Sequence, residues 1–422
     1  MFRCHGWLFS LPHGVPQLLL MSALLCMAAV VPALGADKPK VRTITAFLRL
    51  DAKQYRQQIA DALTMLRAAQ SDYEKAGYLV ETIRIATQPF PEYTRGMSKQ
   101  AALAFFHDLD NLAKQENFIA SIGPALMTDK DDPAQAELLA EILSLSANIS
   151  GSVVVAAADG VHWSGVRAAA SVIKYLEDNT DHSLGNFRFA AIANVPPYTP
   201  FFPAAYHQGL GHQFAVALES ANVVADVMAV QRDAEATREA LIAELGMHAR
   251  AVENIASNTD RSTGWTYMGL DLSPAPMKDA SIGSATAGFT GARFGTSGTL
   301  TAAATITSAL RDIAVKKIGY TGLMMPVLED KRLSQLWSEG ALSMDQLLAY
   351  SAVCGTGLDT IPLPGDITAG QLERIIGDVA TLSAKLAKPL SARLLPVTGA
   401  KPGDMTAFDN PNLVNAVIQP LP

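Results

Sequence analysis

An α/β fold with its strands gathered into one sheet or barrel is what this sequence predicts, and three observations carry that expectation. Short apolar runs alternate with amphipathic runs along most of the 422 residues, the pattern of repeated βα units. Hydrophobic residues make up 49% of the chain, many of them Ala, which suits close packing of helices on a sheet. About ten runs read as strands, more than a simple doubly wound sheet holds, so closure into a barrel is expected.

The elements follow in order. "VRTITAFLRL" (41–50) reads as a strand and "QYRQQIADALTMLRAAQSDYEKAG" (54–77) as a helix stopped by Gly77, since glycine after a periodic run ends a helix. "YLVETIRIAT" (78–87) is a strand, followed by a helix near 98–116, the strand "FIASIG" (118–123) and a helix near 134–146. "GSVVVAAA" (151–158) is apolar throughout, as a strand buried on both faces should be. A helix over 164–178, a strand over 187–195, a strand over 213–220 and a long helix near 231–257 complete the first half. The second half repeats the alternation: a strand at 266–273, a helix at 300–314, a strand at 318–327 and short helices near 330–349. Strands at 350–354 and 358–363, a helix at 369–387 and a last strand at 392–397 finish the chain.

The N-terminus reads differently. Arg3 precedes a long apolar stretch, Leu18 to Leu34, with small residues at Ala33 and Gly35. That is the form of a cleaved signal peptide. Residues 1–35 are therefore expected to be removed, leaving 36–422 as one α/β domain, periplasmic or secreted. Mass spectrometry of the exported fraction should find a chain beginning at Ala36; an intact Met1 form in the cytosol would refute the expectation. Cleavage removes Cys4 and Cys26, so Cys354 stands alone and no internal disulfide can form. The net charge of −7 comes without a basic cluster, which argues against a nucleic-acid partner. No second run is long and apolar enough to span a membrane.

Ligands of α/β folds gather where strands end. Asn194, Glu219 and Asp271 fall at such ends, with Cys354 and Asp359 close to another. Cys354, Asp359 and Asp366 share the segment "AVCGTGLDTIPLPGD" (352–366), rich in glycine and proline. Glycine permits an irregular backbone and proline stiffens it, and such segments are common beside functional sites. Two neighbouring carboxylates would raise the thiol's pKa. Asp359 and Asp366 therefore read as cation ligands or as acid and base, and Cys354 as a core residue or, failing that, a nucleophile.

Five motifs occur in a characteristic order: "GLDLSPAPMKDASIG" (269–283), "GTSGTLTAAATITSAL" (295–310), "GLMMPVLED" (322–330), "VCGTGLDTIPLPGD" (353–366) and "RLLPVTGAKPGDMTAF" (393–408). Together with "VRTIT", "IRIAT" and "PFFPAAYH" (200–207), they resemble the uncharacterised domain-of-unknown-function 711 family over nearly the whole mature chain. The resemblance implies a ten-stranded α/β barrel similar to pyruvate formate-lyase and ribonucleotide reductase, and it brings no reaction with it. Serine stands in "GTSGT" where relatives often have histidine, and the tail "DNPNLVNAVIQPLP" is poorer in glycine than theirs. The run "KKIGY" (316–320) looks like a glycyl-radical motif, but it precedes the cysteine segment instead of lying near the C-terminus. Shared fold is weak ground for shared chemistry, so radical chemistry is set aside.

Further candidates carry two readings each. Thr296 and Ser297 precede an Ala-rich helix, where backbone N–H groups attract an anion or a hydroxyl simply caps the helix. His207, with His212 nearby, matches no zinc signature and reads as a loop histidine or a ligand contact. Asp271 and Lys278 bracket a proline-punctuated loop, where a carboxylate binds a ligand or caps the turn. The expectation is an exported protein handling a small polar metabolite in a barrel-mouth pocket. Asp271, Asp359, Asp366 and Cys354 are its catalytic candidates, and Glu219, Asn194, His207, Lys278, Thr296 and Ser297 its ligand contacts. An enzyme is the first reading. A non-catalytic binding protein, or an assembly protein whose Ala-rich surfaces form homo-oligomers, are the others. A divalent cation is the one cofactor the carboxylates suggest.

Overall fold

A computed structural model of the protein describes residues 37–421. The stretch 1–35, expected to be a signal peptide, lies outside the described residues. The strands are β1 (Lys40–Leu48), β2 (Val80–Thr87), β3 (Ile119–Pro124), β4 (Ile149–Ala157), β5 (Gly160–Val161), β6 (Phe189–Ala193), β7 (His212–Glu219), β8 (Thr266–Asp271), β9 (Gly357–Pro364) and β10 (Leu390–Val397). All ten join one mixed, mainly parallel sheet in the order β8-β7-β1-β2-β3-β4-β6-β10-β9, with the two-residue β5 paired to β4. The sheet has two directions. β1, β2, β3, β4 and β6 run one way. β7 and β8 run parallel to each other and opposite to β1. β10 and β9 likewise run parallel to each other and opposite to β6.

The α/β fold follows from local rules. β4 is buried over nearly its whole length because both faces are covered, and its near-continuous apolar run is what such burial requires. The helix Tyr55–Lys75 buries a stripe of Ile59, Leu63, Leu66 and Tyr73, spaced at the helical period. Ser98 caps the helix Lys99–Glu116 by accepting from the Ala101 N–H. Thr368 and Gln371 form a reciprocal capping box at the helix Ala369–Leu386. Helices such as Tyr55–Lys75 and Ala369–Leu386 pack apolar stripes on the outer face of the sheet, where Ile44, Ile85, Val153, Phe189, Val216 and Leu394 belong to one large core.

The inner face is covered by irregular chain. Phe47, Ala86 and Ala215 meet Ala205, Tyr198 and Phe202. Val154, Ala190 and Ile192 meet Phe201, Tyr206, Tyr320 and Met324. Two segments, near 198–206 and 318–324, therefore fill part of this face. The sequence leads one to expect a strand at 318–327, yet the segment forms none. Gly319 and Thr321 adopt positive φ, 73° and 38°, and the Asp271 carboxylate captures the N–H groups of Tyr320 and Thr321. Donors bound to a side chain cannot join a ladder. The segment instead touches both edges of the sheet: Leu270 on β8 donates to the Lys316 carbonyl at 2.8 Å, and the Val327 N–H donates to the Asp359 carbonyl on β9 at 3.0 Å.

Residues 350–354 also depart from the strand expected there. The helix Met344–Tyr350 is fixed by a capping box of Ser343 and Gln346, and its last turn continues as the Cys354 N–H donates to the Tyr350 carbonyl. The buried Lys388 ammonium binds the carbonyls of Ser351 and Cys354 and holds the turn. Two helices, Ala221–Val230 and Ile282–Thr290, escape the sequence reading; both are short and apolar, without the polar face that marks a helix. The glycines of 352–366 now have a reason. Gly355 lies against Gly322, and a Cβ on Gly355 would sit 2.7 Å from the Gly322 carbonyl, so two backbones meet where no side chain fits.

Candidate functional site

Charged side chains on the inner face gather at one end of the sheet. There β1, β2, β3 and β4 begin, and there β7 and β8 end. A pocket of 440 Å³ opens at this end, and Arg42, Arg84, Arg188, Arg393 and Lys278 line it together with Glu81 and Glu329. Five cations thus face two carboxylates. A larger cleft of 660 Å³ lies near Glu92, Lys99 and Asp131. Several of its charges are engaged: Glu92 with Arg49, Lys99 with Glu141, and Asp131 with the N–H groups of Met127 and Thr128. The smaller pocket carries the excess of positive charge.

Its floor is a chain of ion pairs. Arg42 on β1 donates to Glu329 Oε2 at 3.2 Å. Arg393 on β10 binds Glu329 Oε1 through one arm and Asp359 Oδ1 on β9 through Nε at 2.6 Å. Arg393, Glu329 and Asp359 are almost wholly buried. The Arg393 guanidinium also lies 4.8 Å from the Phe187 ring and 5.6 Å from that of Phe201, a cation–π seat. Burial raises the Glu329 carboxyl, but Arg393 and Arg42 outweigh it and hold it below the usual carboxylate range. Burial leaves Asp359 raised, and Arg393 offsets this only in part against the repulsion of Glu329.

Arg84 differs from its neighbours. Its Nε donates to Thr82 Oγ1 at 2.9 Å and its guanidinium sits 4.9 Å from the Phe202 ring. No carboxylate of the described residues pairs with it. Burial first, and Arg42 second, depress its pKa. A guanidinium stays protonated in proteins, so this records a cation without its counter-charge. Beside the pocket, Glu219 at the end of β7 is buried and receives Lys40 at 3.0 Å; burial and Glu81 push its carboxyl up to about 7.

The sequence candidates divide between the two ends of the sheet. Asp359 belongs to the ion-pair chain, and Lys278 lines the pocket with its N–H donating to the Glu329 carbonyl at 2.7 Å. Glu219 stands beside it. Asp271 reaches this end too, but its carboxylate is filled by the Ser273 N–H and hydroxyl and by the N–H groups of Tyr320 and Thr321. Asp366 does not join Asp359: residues 357–364 form a strand rather than a loop, and Asp366 is exposed beyond its end. Seven residues of extended chain separate carboxylates by roughly 20 Å. Cys354 is wholly buried in the apolar core. Asn194 ends β6, at the opposite end of the sheet, and binds Ser383. His207 lies at that end as well, bonded to Gln213 at 2.9 Å. Thr296 and Ser297 are exposed, and the helix Thr299–Asp312 is capped by Gly298 at φ 98° with no side-chain cap. Among the described residues no three His, Cys, Asp or Glu side chains are placed to hold a metal ion, and no helix is long and apolar enough to cross a membrane.

Sequence reasoning passed over Arg42, Arg84, Arg188, Arg393 and Glu329. A signal was present: "VRTIT", "IRIAT" and "ARLLPV" each carry one arginine inside an otherwise apolar or hydroxylic strand. A buried charge must be paired, so lone arginines on separate core strands mark a shared charged interior.

Comparison with known proteins agrees with the motifs. The family described as "Uncharacterised ACR (DUF711)" matches residues 34–410. A UPF0210 protein of Pyrobaculum aerophilum is 34% identical over 351 residues, covering 78% of this chain and 76% of its own length. A UPF0210 protein of Acetivibrio thermocellus is 28% identical over 398 residues, covering 87% and 88%. One from Methanocaldococcus jannaschii is 25% identical over 403 residues, covering 87% and 88%.

Proposed function

This chain belongs to the DUF711 family, and from that premise we propose that it is an exported enzyme that holds a small organic anion, a carboxylate or a phosphate compound, in the arginine-lined pocket. The observation that carries the proposal is Arg84, a cation facing the pocket with no carboxylate partner among the described residues. A bound oxyanion would supply the missing charge through charge-assisted hydrogen bonds. Size points the same way. Phe201 and Tyr206 fill the inner face deeper down, so a ligand is confined to the 440 Å³ mouth. The segment 316–330, bonded to both β8 and β9, is read as the piece that closes the sheet into a barrel. Three buried carboxylates, Glu219, Glu329 and Asp359, with protonation displaced in both directions, favour catalysis over simple binding, since opposed shifts are how acid and base roles are divided.

Thermal unfolding across a panel of small mono- and dicarboxylates, phosphate esters, sulfate and phosphate tests the reading. An anion at about 100 times its dissociation constant should stabilise the protein by about 2.7 kcal/mol. Arg84→Met, which keeps the packing on Phe202 but removes the charge, should fold and lose that stabilisation. The proposal fails if no anion stabilises the wild type, or if the variant keeps the full effect. Conversion of the stabilising anion to a new species separates an enzyme from a binding protein.

A further inference from the structure

Three strands build a second charge group against the arginine pocket. Lys40 at the start of β1 places its Nζ 2.9 Å from Glu81 Oε1 on β2 and 3.0 Å from Glu219 Oε1 at the end of β7. One ammonium cannot neutralise two carboxylates. Glu219 is only 4% exposed, and its Oε2 finds no donor among the described residues. Both carboxyl groups lie within 3.0 Å of the one Lys40 ammonium, and two carboxylates drawn to one site favour keeping a proton between them. Glu81 also lines the pocket, so the pair opens onto the place where the anion would sit. The other charges facing Glu219 are Lys40 and Arg42 from β1. Glu329 lies beyond Arg42, held by it, and Asp271 on β8 is turned to the 320–321 backbone.

We propose that Glu81 and Glu219 hold one shared proton at the edge of the arginine pocket and exchange it with the anion bound there, an inference that rests on the anion reading above. The step is a proton transfer. The O–H bond of the pair breaks, a bond to that hydrogen forms on a basic oxygen or carbon of the ligand, and the pair gains one negative charge as the ligand loses one. Lys40 stays between the two carboxylates and stabilises the charged product state. The ligand class is therefore a small oxyanion carrying a second, proton-accepting centre. Burial and Glu81 bring the Glu219 carboxyl to about 7, where proton donation and acceptance are balanced near neutral pH.

The experiment uses the full mature chain and sulfate, which stays fully ionised across the range tested. The wild type should bind sulfate about 3- to 30-fold more weakly at about pH 8.5 than at about pH 5.5, because the deprotonated pair adds a charge close to the anion. Glu219→Gln should flatten that dependence while keeping the affinity seen at the lower pH. Infrared spectroscopy reads the proton directly. The wild type and Arg84→Met should both lose a protonated-carboxyl carbonyl band with a midpoint near 7, and Glu219→Gln should lack the band; Glu81→Gln serves if that variant does not fold. A wild type without the band, or a band that survives in both glutamine variants, overturns the shared proton. A band with no sulfate bound at any pH overturns its exchange with an anion together with the pocket reading. Binding whose pH dependence is unmoved in Glu219→Gln overturns the exchange alone.

Discussion

Replacing Arg393 by methionine is expected to cost about 3–5 kcal/mol of folding stability at neutral pH, the range for breaking a buried ion pair from one side. Arg393 is 4% exposed and bridges Asp359, which is 1% exposed, to Glu329. Methionine fills much of the space but strands the carboxylates, leaving Arg42 alone to hold Glu329. The pH dependence provides a second check. Without Arg393, burial pushes both carboxyl groups up, so in the folded variant they sit above their unfolded values. A group raised in the folded state stabilises most below its unfolded pKa and loses that contribution as pH rises through the folded one. The deficit should therefore shrink from pH 8 toward about pH 5. Arg393→Lys should fall between, because an ammonium keeps the charge but cannot reach both partners with a planar fork. Urea unfolding at the two pH values measures all of this. A methionine variant within about 1 kcal/mol of wild type at pH 8 would show that the ion-pair chain is not structural.

Asp330→Ala should cost about 3–4 kcal/mol, more than the usual ~1 kcal/mol of a lost helix cap. Asp330 is wholly buried and serves two helices at once. Its Oδ1 accepts from the N–H groups of Arg332 and Leu333, at 3.0 Å each, and from the Ser281 hydroxyl at 2.6 Å. Its Oδ2 accepts from the N–H groups of Ile282 and Gly283 at 2.8 and 3.2 Å. The helices Lys331–Ser338 and Ile282–Thr290 both begin on this carboxylate. Alanine leaves several buried donors without acceptors, each costing about 1–3 kcal/mol before relaxation. Asp330→Asn, which retains one acceptor oxygen, should lose about half as much. Hydrogen exchange at Ile282, Gly283 and Leu333 should speed up along with the fall in stability. Unchanged exchange there, with a loss under about 1 kcal/mol, would sink the double-cap account. The position also bears on the pocket, because Glu329 precedes Asp330 and is held by the Lys278 N–H.

The candidate site was legible only in fragments. Glu219, Lys278 and Asp359 could be picked out because carboxylates and a lysine at strand ends stand apart from apolar runs. Asp366 misled for a local reason: proline and glycine at 362–365 suggest a loop, yet β9 runs straight through Pro362 and Pro364. Proline is tolerated there because β9 pairs along one side with β10, and an edge strand can spare donors on the other. Asp271 shows the converse. Its place at a strand end was visible, but not that Ser273, Tyr320 and Thr321 would saturate it, two of them about fifty residues further along the chain.

What the sequence determined by itself is the alternation of strands and helices and the membership of the family. Both depend on short-range information: the period of apolar residues, the caps, and motifs read in order. Tertiary structure alone decided the direction of each strand. Because β7, β8, β9 and β10 run against β1, β2, β3, β4 and β6, the carboxyl ends of the strands point to both ends of the sheet. That sends Asn194 to one end and Glu219 and Asp271 to the other. Pairing direction is set by contacts across the whole fold, and no local pattern encodes it. The same long-range pairing brings Arg42, Arg84 and Arg393 together from strands up to 351 positions apart, where their shared demand for counter-charge makes the pocket.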